Sequence, residues 1–303
     1  MDFAQNLKEL RKKAGFSQEE LANRLNVSRQ AITKWETDLG MPDVDNLTNI
    51  ADLFGISLDE LIRPGVQTGV KSDFLFESVT QYDASKKIDY DINVGGAKEV
   101  SVDVVEGEKI TIRLASNTLN ALGSSFKVKV DEHDIDVCRL NKVTEEQTRE
   151  SLYVFISLPL SFLSHTELAA NTDVLTIHNF NDETLEFDGK ANEVYIVKSN
   201  GNIELTSTND LNVIYDSFNG RLEINQMSSL TKVNVPNDSN YSIKKKGRSN
   251  SMLVQNDGVV IEKKFEKSSP NMIELKGFHS ELIINEYSSL SKEQDERINS
   301  RGN

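Results

Sequence analysis

Along the first 63 residues the apolar positions recur every three or four places. Phe3, Leu7, Leu10 and Ala14 are spaced by four, three and four, the stripe of an amphipathic helix, and Gly15 is its C-cap. Ser17 and Glu20 form a capping box ahead of Leu21, Ala22 and Leu25, which predicts a short second helix. Asn26-Val27 makes a turn, asparagine being tolerant of the left-handed conformation. Ser28 then caps a third helix with Ala31, Ile32 and Trp35 on one face. Pro42-Asp43 opens a fourth segment carrying Leu47, Ile50, Ala51 and Phe54, and a second capping box, Ser57 and Glu60, starts a fifth helix with Leu58, Leu61 and Ile62. The second and third helices, joined by a tight turn, match a helix-turn-helix.

Beyond Pro64-Gly65 the pattern changes. Residues 64–80 are expected to be a linker, and β-branched runs follow. Val100–Val105 and Ile110–Leu114 alternate around Glu106-Gly107-Glu108 as a hairpin would. Phe126–Val130 and Leu152–Leu158 are the next strands. From residue 174 apolar triplets and quartets begin eight to eleven residues apart: Val174–Ile177, Leu185–Phe187, Val194–Val197, Ile203–Leu205, Leu211–Ile214, Leu222–Ile224 and Val233–Val235. Turns rich in Asn, Asp and Gly separate them, and VKSNGNIEL (197–205) nearly repeats as YDSFNGRLEI (215–224). A unit this small cannot bury its apolar side alone, so the units must stack, as in a β-solenoid; an antiparallel sandwich is the structural competitor. The expected architecture has two domains, α plus β: a five-helix helix-turn-helix bundle over 1–63 and an all-β repeat domain over 81–287. A frayed polar tail over 288–303 completes the chain.

Charge sharpens this division. The chain of 303 residues carries −14 overall, yet residues 1–35 balance at +3, residues 36–64 at −6 and the remainder at −11. A polyanion is therefore met by the first 35 residues and repelled by most of the rest. On the third helix, Arg29, Gln30, Thr33 and Lys34 lie away from Ile32 and Trp35. Arg and Lys can donate to guanine edges and Gln can pair with adenine in the major groove, which admits one such helix.

The run LRKKAGFSQEELANRLNVSRQAITKWE, followed by MPDVDNLTNIADLFGISLDELI, resembles the Cro/phage-repressor helix-turn-helix (XRE) family over residues 3–63. That resemblance implies sequence-specific binding of a double-stranded DNA operator. It places Arg29, Gln30, Thr33 and Lys34 at base-reading positions. Gln18 falls at a phosphate contact that also braces the reading side chains, and Ser28 caps the helix near the backbone. It implies a structural ion pair between Arg11 and Glu36, and a core position for Trp35. Two positions depart from the pattern: Asn26 and Asp38 stand where glycine is common. Asp38 puts a negative charge in a loop that runs close to phosphate in the family, so weaker or more salt-sensitive binding is expected. Residues 150–285, with LYVFISLP and recurring S-N-G-x-I motifs, resemble an adhesin-like β-strand-repeat family of unassigned function.

Other chemistry finds little support. The single cysteine, Cys138, excludes an intrachain disulfide and a cysteine metal cluster; it reads as a small buried residue. His133, His165, His178 and His279 have no second His or Cys at ligand spacing, and the acidic run around His133 (Asp131, Glu132, Asp134, Asp136) lacks the glycine of a calcium loop. No metal and no cofactor is expected. Lys244-Lys245-Lys246-Gly247-Arg248 is a basic cluster read as a solubilising turn. The most apolar stretch, Leu152–Leu163, has twelve residues and is too short to cross a bilayer, and Met1-Asp2-Phe3 does not open a secretion signal. The expectation is thus a cytoplasmic, non-enzymatic DNA-binding regulator. It should act as a homodimer or higher oligomer, with the β domain serving oligomerisation or sensing of a ligand or protein partner. Two rivals remain open: an antitoxin-like protein-interaction module whose DNA binding is secondary, and a carbohydrate-active β-helix enzyme using paired carboxylates such as Asp210 and Asp216.

Overall fold

A computed structural model describes residues 3–54, 61, 74–84, 86–131, 134–140, 143–181, 183–263, 265 and 269–300. Four helices open the chain: α1 (Phe3–Lys13), α2 (Gln18–Arg24), α3 (Arg29–Glu36) and α4 (Val44–Phe54). The fifth expected helix, apart from Leu61, lies outside the described residues, as do most of the expected linker and His133. Phe3, Leu7, Leu21, Ala22, Leu25, Ile32, Trp35, Ile50, Ala51, Phe54 and Leu61 form one buried cluster, so the stripes of four helices meet in a single core.

The caps form where the sequence puts them. The Ser17 hydroxyl accepts from the Glu20 amide at 3.1 Å, and the Glu20 carboxylate accepts from the Ser17 amide at 2.7 Å. Ser28 accepts from Ala31 N–H at 3.2 Å, and Asp43 from Asn46 N–H at 2.8 Å. Asn26 and Asp38, the two glycine replacements, both take left-handed backbone, with φ of +54° and +58°.

The rest of the described chain is built on two large sheets of 11 and 9 strands. From Leu163 onward successive strands alternate between them: 163–171, 184–190, 202–207 and 221–227 in the nine-stranded sheet, with 174–178, 193–197, 211–215 and 230–236 in the other. Pairing within each sheet is parallel here and in register. Leu185, Ile203, Leu222 and Ile273 form one inner column, and Leu168, Phe187, Leu205, Ile224 and Leu275 the next. Facing them, Val100, Leu175, Val194, Val213, Val233 and Ile284 line the other sheet. Each coil of about 19 residues supplies one strand per sheet and closes its core only against the coils beside it. This is a solenoid-like stack; antiparallel pairing is confined to strands 76–83, 109–116 and 153–159, to 126–131 with 134–139, and to 251–256 with 259–261.

Four expectations need correcting. Strands 99–105 and 109–116 do not pair as a hairpin: strand 153–159 lies between them, parallel to the first and antiparallel to the second. Two strand spacings are about 9.6 Å, and the four Cα steps from Val105 to Lys109 reach about 14 Å, so the same short turn can straddle a third strand. A strand begins at Phe76, inside the segment expected as linker. Cys138 is half-buried: it follows the inward residue Val137 and so faces outward near the end of its strand. The polar end of the chain holds a helix, Lys292–Ser300, whose Ile298 is buried with Tyr195, Val197 and Ile214 on the outer face of the larger sheet. Leu290 packs against the same cluster, and Arg297 lies over the Tyr195 ring at 5.8 Å. No described helix is long and apolar enough to cross a membrane.

Candidate nucleic-acid interface

Helix α3 is eight residues long and fixed on one side only. Ile32 has no exposed surface and Trp35 has 8%, while Arg29, Gln30, Thr33 and Lys34 are all exposed on the opposite side. The structure therefore brings together, on one helical face, the four residues predicted to read bases. Ser28 stands exposed at the N-terminal end of that face as the cap.

Beneath the face lies a polar brace joining three helices. Arg11 of α1 grips Glu36 of α3 with two hydrogen bonds, Nε to Oε1 at 2.5 Å and Nη2 to Oε2 at 2.9 Å. Its remaining Nη1 donates to the Phe16 carbonyl at 2.8 Å. Gln18 of α2 donates to Glu36 Oε2 at 2.9 Å, and its own Oε1 accepts from the Thr33 hydroxyl at 3.3 Å. The family-implied ion pair is thus present, and Gln18 touches Thr33, one of the four residues expected to read bases. Burial works to raise the Glu36 carboxyl, but the hydrogen bonds from Arg11 and Gln18 outweigh it and hold the group below the ordinary carboxylate range. The bond to Glu36 pushes the Arg11 guanidinium further up. A fully satisfied bidentate pair of this kind fixes geometry as much as it stabilises.

The surface around α3 is cationic but not uniformly so. Lys8, Lys12, Lys13 and Arg24 are exposed on α1 and α2, and Arg24 lies over the Phe16 ring at 4.3 Å. Arg29 has Glu19 at 4.0 Å, both well exposed, so that contact is weak and easily exchanged for a phosphate or a base. Asp38 sits exposed just past the C-terminus of α3.

Residues 7–61 match the helix-turn-helix family. This segment is a helix-turn-helix domain of the Cro/phage-repressor type. Over 62 residues the chain is 42% identical to the HTH-type transcriptional activator BcrR of Enterococcus faecalis, covering 20% of this chain and 30% of that protein. Over 82 residues it is 32% identical to the HTH-type transcriptional regulator ImmR of Bacillus subtilis, covering 27% and 65%. The match thus spans under a third of the first relative and just under two thirds of the second. Among solved structures, a candidate cell adhesion protein from Clostridium sporogenes aligns at 15% identity and a TM-score of 0.35, covering 69% of this chain and 98% of that one. A candidate adhesin from Bacteroides fragilis aligns at 10% and 0.31, covering 69% and 96%.

The β domain rearranges several residues that spacing alone left apart. Asp210 accepts from Leu230 N–H at 2.8 Å, and Asp216 accepts from Lys198 N–H at 3.0 Å. They flank opposite ends of strand 211–215, six residues or about 20 Å apart. Paired glycosidase carboxylates sit within about 10 Å, so these two do not form such a pair. His165 lies between Glu167 and Glu186, at 3.7 and 3.6 Å, a grouping hidden from the sequence because Glu186 comes from the next coil. His178 is buried and desolvation pulls its pKa down; His279 is exposed, edge-on to Phe278.

Proposed function

We propose that the protein is a sequence-specific regulator of transcription that inserts α3 into the major groove of double-stranded DNA. Arg29, Gln30, Thr33 and Lys34 read base edges, while Gln18 and Ser28 hold the backbone. The observation that carries the reading is the one-sided burial of α3: Ile32 and Trp35 anchor it, Glu36 locks it to Arg11, and the four polar side chains are left outward on a locally cationic surface. No catalytic residue enters this reading, and the site of action is the cytoplasm, where DNA is at hand.

One module of this size buries too little surface for useful selectivity, so two copies on half-sites about one helical turn apart are the working unit. The β domain, much longer than the DNA-binding part, is the natural source of assembly contacts or of a ligand response. Selection from random duplex DNA should return a two-fold symmetric operator. Replacing Arg29 or Gln30 by Ala should cost about 1–3 kcal/mol in operator affinity and relax preference at one base position. Unchanged affinity in both variants, or the absence of any selected sequence, refutes the assignment.

A further inference from the structure

The register of the nine-stranded sheet aligns charge in a way the sequence does not display. On its outer face Asp91, Glu167, Glu186, Glu204, Glu223 and Glu274 fall opposite one another on six successive strands, and Lys244 follows on the seventh. In the first four of these strands (88–96, 163–171, 184–190 and 202–207) the outward side carries Asp89, Asp91, Glu167, Glu186, Asp188 and Glu204, against Lys190 alone. Neighbouring like charges about 4.8 Å apart disfavour the fold, so the row is costly to keep.

Past Glu204 the sign reverses. Arg221, Lys244, Lys246 and Lys276 crowd the next three strands around the buried carboxylates of Glu223 and Glu274, with Arg248 just past the last of them. Arg221 reaches both at 2.8 and 2.6 Å, Lys246 reaches Glu274 at 2.7 Å, and Lys276 pairs with Glu223. Four of these cations surround the two anions, and Arg248 adds a fifth positive charge beside Phe278, leaving this half net positive. The basic cluster 244–248 is therefore one pole of a face, not an isolated turn. Met227 and Phe278, paired in register, are exposed beside it.

A face that is acidic over four strands and basic over the next three complements itself. A second copy turned about a two-fold axis lying in the face, across the strand row where the sign changes, sets each acidic half on a basic half. We infer that the chain forms an isologous dimer through this face, with Glu167 and Glu186 of one copy meeting the Lys244 and Arg248 end of the other. The area spanned is about 29 Å by about 17 Å, the scale of a small reversible interface. The need for two copies rests on the DNA-reading proposal; the choice of face does not.

Sedimentation equilibrium of the full chain without DNA tests it. A dimer should form at about 50 mM salt and weaken at least about tenfold at about 500 mM. The double variants Glu167→Lys/Glu186→Lys and Lys244→Glu/Arg248→Glu should each be monomeric, with unchanged circular dichroism, and an equimolar mixture should form the heterodimer. Lys246 still neutralises Glu274 in the second variant, so folding is not at stake. A monomeric wild type at low salt, a reversal that leaves dimerisation intact, or a mixture that fails to associate each overturns the assignment. A monomer that still selects an operator would remove this face and leave the DNA reading in place. A dimer that selects none would do the opposite.

Discussion

Replacing Glu36 by Gln keeps the shape of the side chain and removes the charge that Arg11 was folded against. The Arg11 side chain is 11% exposed and that of Glu36 1%, so water can replace little of the lost interaction. Breaking a buried pair by neutralising one partner costs about 3–5 kcal/mol. Here the guanidinium keeps its bond to the Phe16 carbonyl, and the carboxamide oxygen of the substituted side chain can still accept one hydrogen bond, so about 2–4 kcal/mol is expected. A domain of some 60 residues has only about 3–9 kcal/mol to lose. Trp35 is the only tryptophan of the chain and sits next to Glu36 in the helical core, so urea unfolding followed by its fluorescence reports this domain even in the full-length protein. The pH dependence adds a second reading. Because the folded Glu36 pKa lies below its unfolded value, the unfolded state binds more protons in the interval between them. The stabilisation is therefore complete above the ordinary carboxylate pKa and lost as pH falls through the folded one. Wild type should lose stability across that acidic window, and Glu36→Gln should have a flatter profile there. A variant within about 0.5 kcal/mol of wild type, with an unchanged acid limb, would refute the claim that this pair holds α3 in place.

Asp38→Gly should relieve the +58° φ and raise the unfolding free energy by about 0.5–1 kcal/mol, read as a higher urea midpoint. It should also tighten operator binding in a mobility-shift titration, most at low salt; unaltered affinity would mean the loop does not approach phosphate. Gly277→Ala should be severe. A Cβ there would lie 1.9 Å from the Gln226 carbonyl oxygen, at a φ of +129°, and relief requires moving a coil of the stack. A loss above about 3 kcal/mol is expected by calorimetry. Ile298→Asp should release the terminal helix and expose Tyr195, Val197 and Ile214. Hydrogen exchange confined to 290–300 would show it, whereas global destabilisation would mean the helix is part of the main core.

Local signals were legible in the helical domain, where the responsible interactions span a few residues and follow one another closely. The Ser17–Glu20 box, the Ser28 cap, the Asn26 turn and the inward faces of α1 to α3 follow from spacings of three and four, because helical hydrogen bonds and caps are themselves local. The short strands from residue 174 were visible for the same reason. Strand partners were not. Strand 153–159 enters between 99–105 and 109–116, and 272–278 enters between 221–227 and 242–245. Nothing in the alternation of Val100–Leu114 distinguishes a closed hairpin from one opened to admit a third strand. The docking of the terminal helix was hidden because one apolar residue, Ile298, gives no periodicity to detect.

The sequence by itself determined α1 to α4 and the short strands from residue 174, which side of each is apolar, and which four residues α3 leaves outward. Those properties are decided by a residue and its near neighbours. The tertiary structure alone decided how Arg11, Gln18, Thr33 and Glu36 join into one brace. It also decided which carboxylates align across the nine-stranded sheet and where that row changes sign. Parallel pairing links residues one or more coils apart, with no turn to set the register, so the match is settled by the packing of inner columns such as Leu185, Ile203 and Leu222. The charge on the outer face follows the register that the buried face selects.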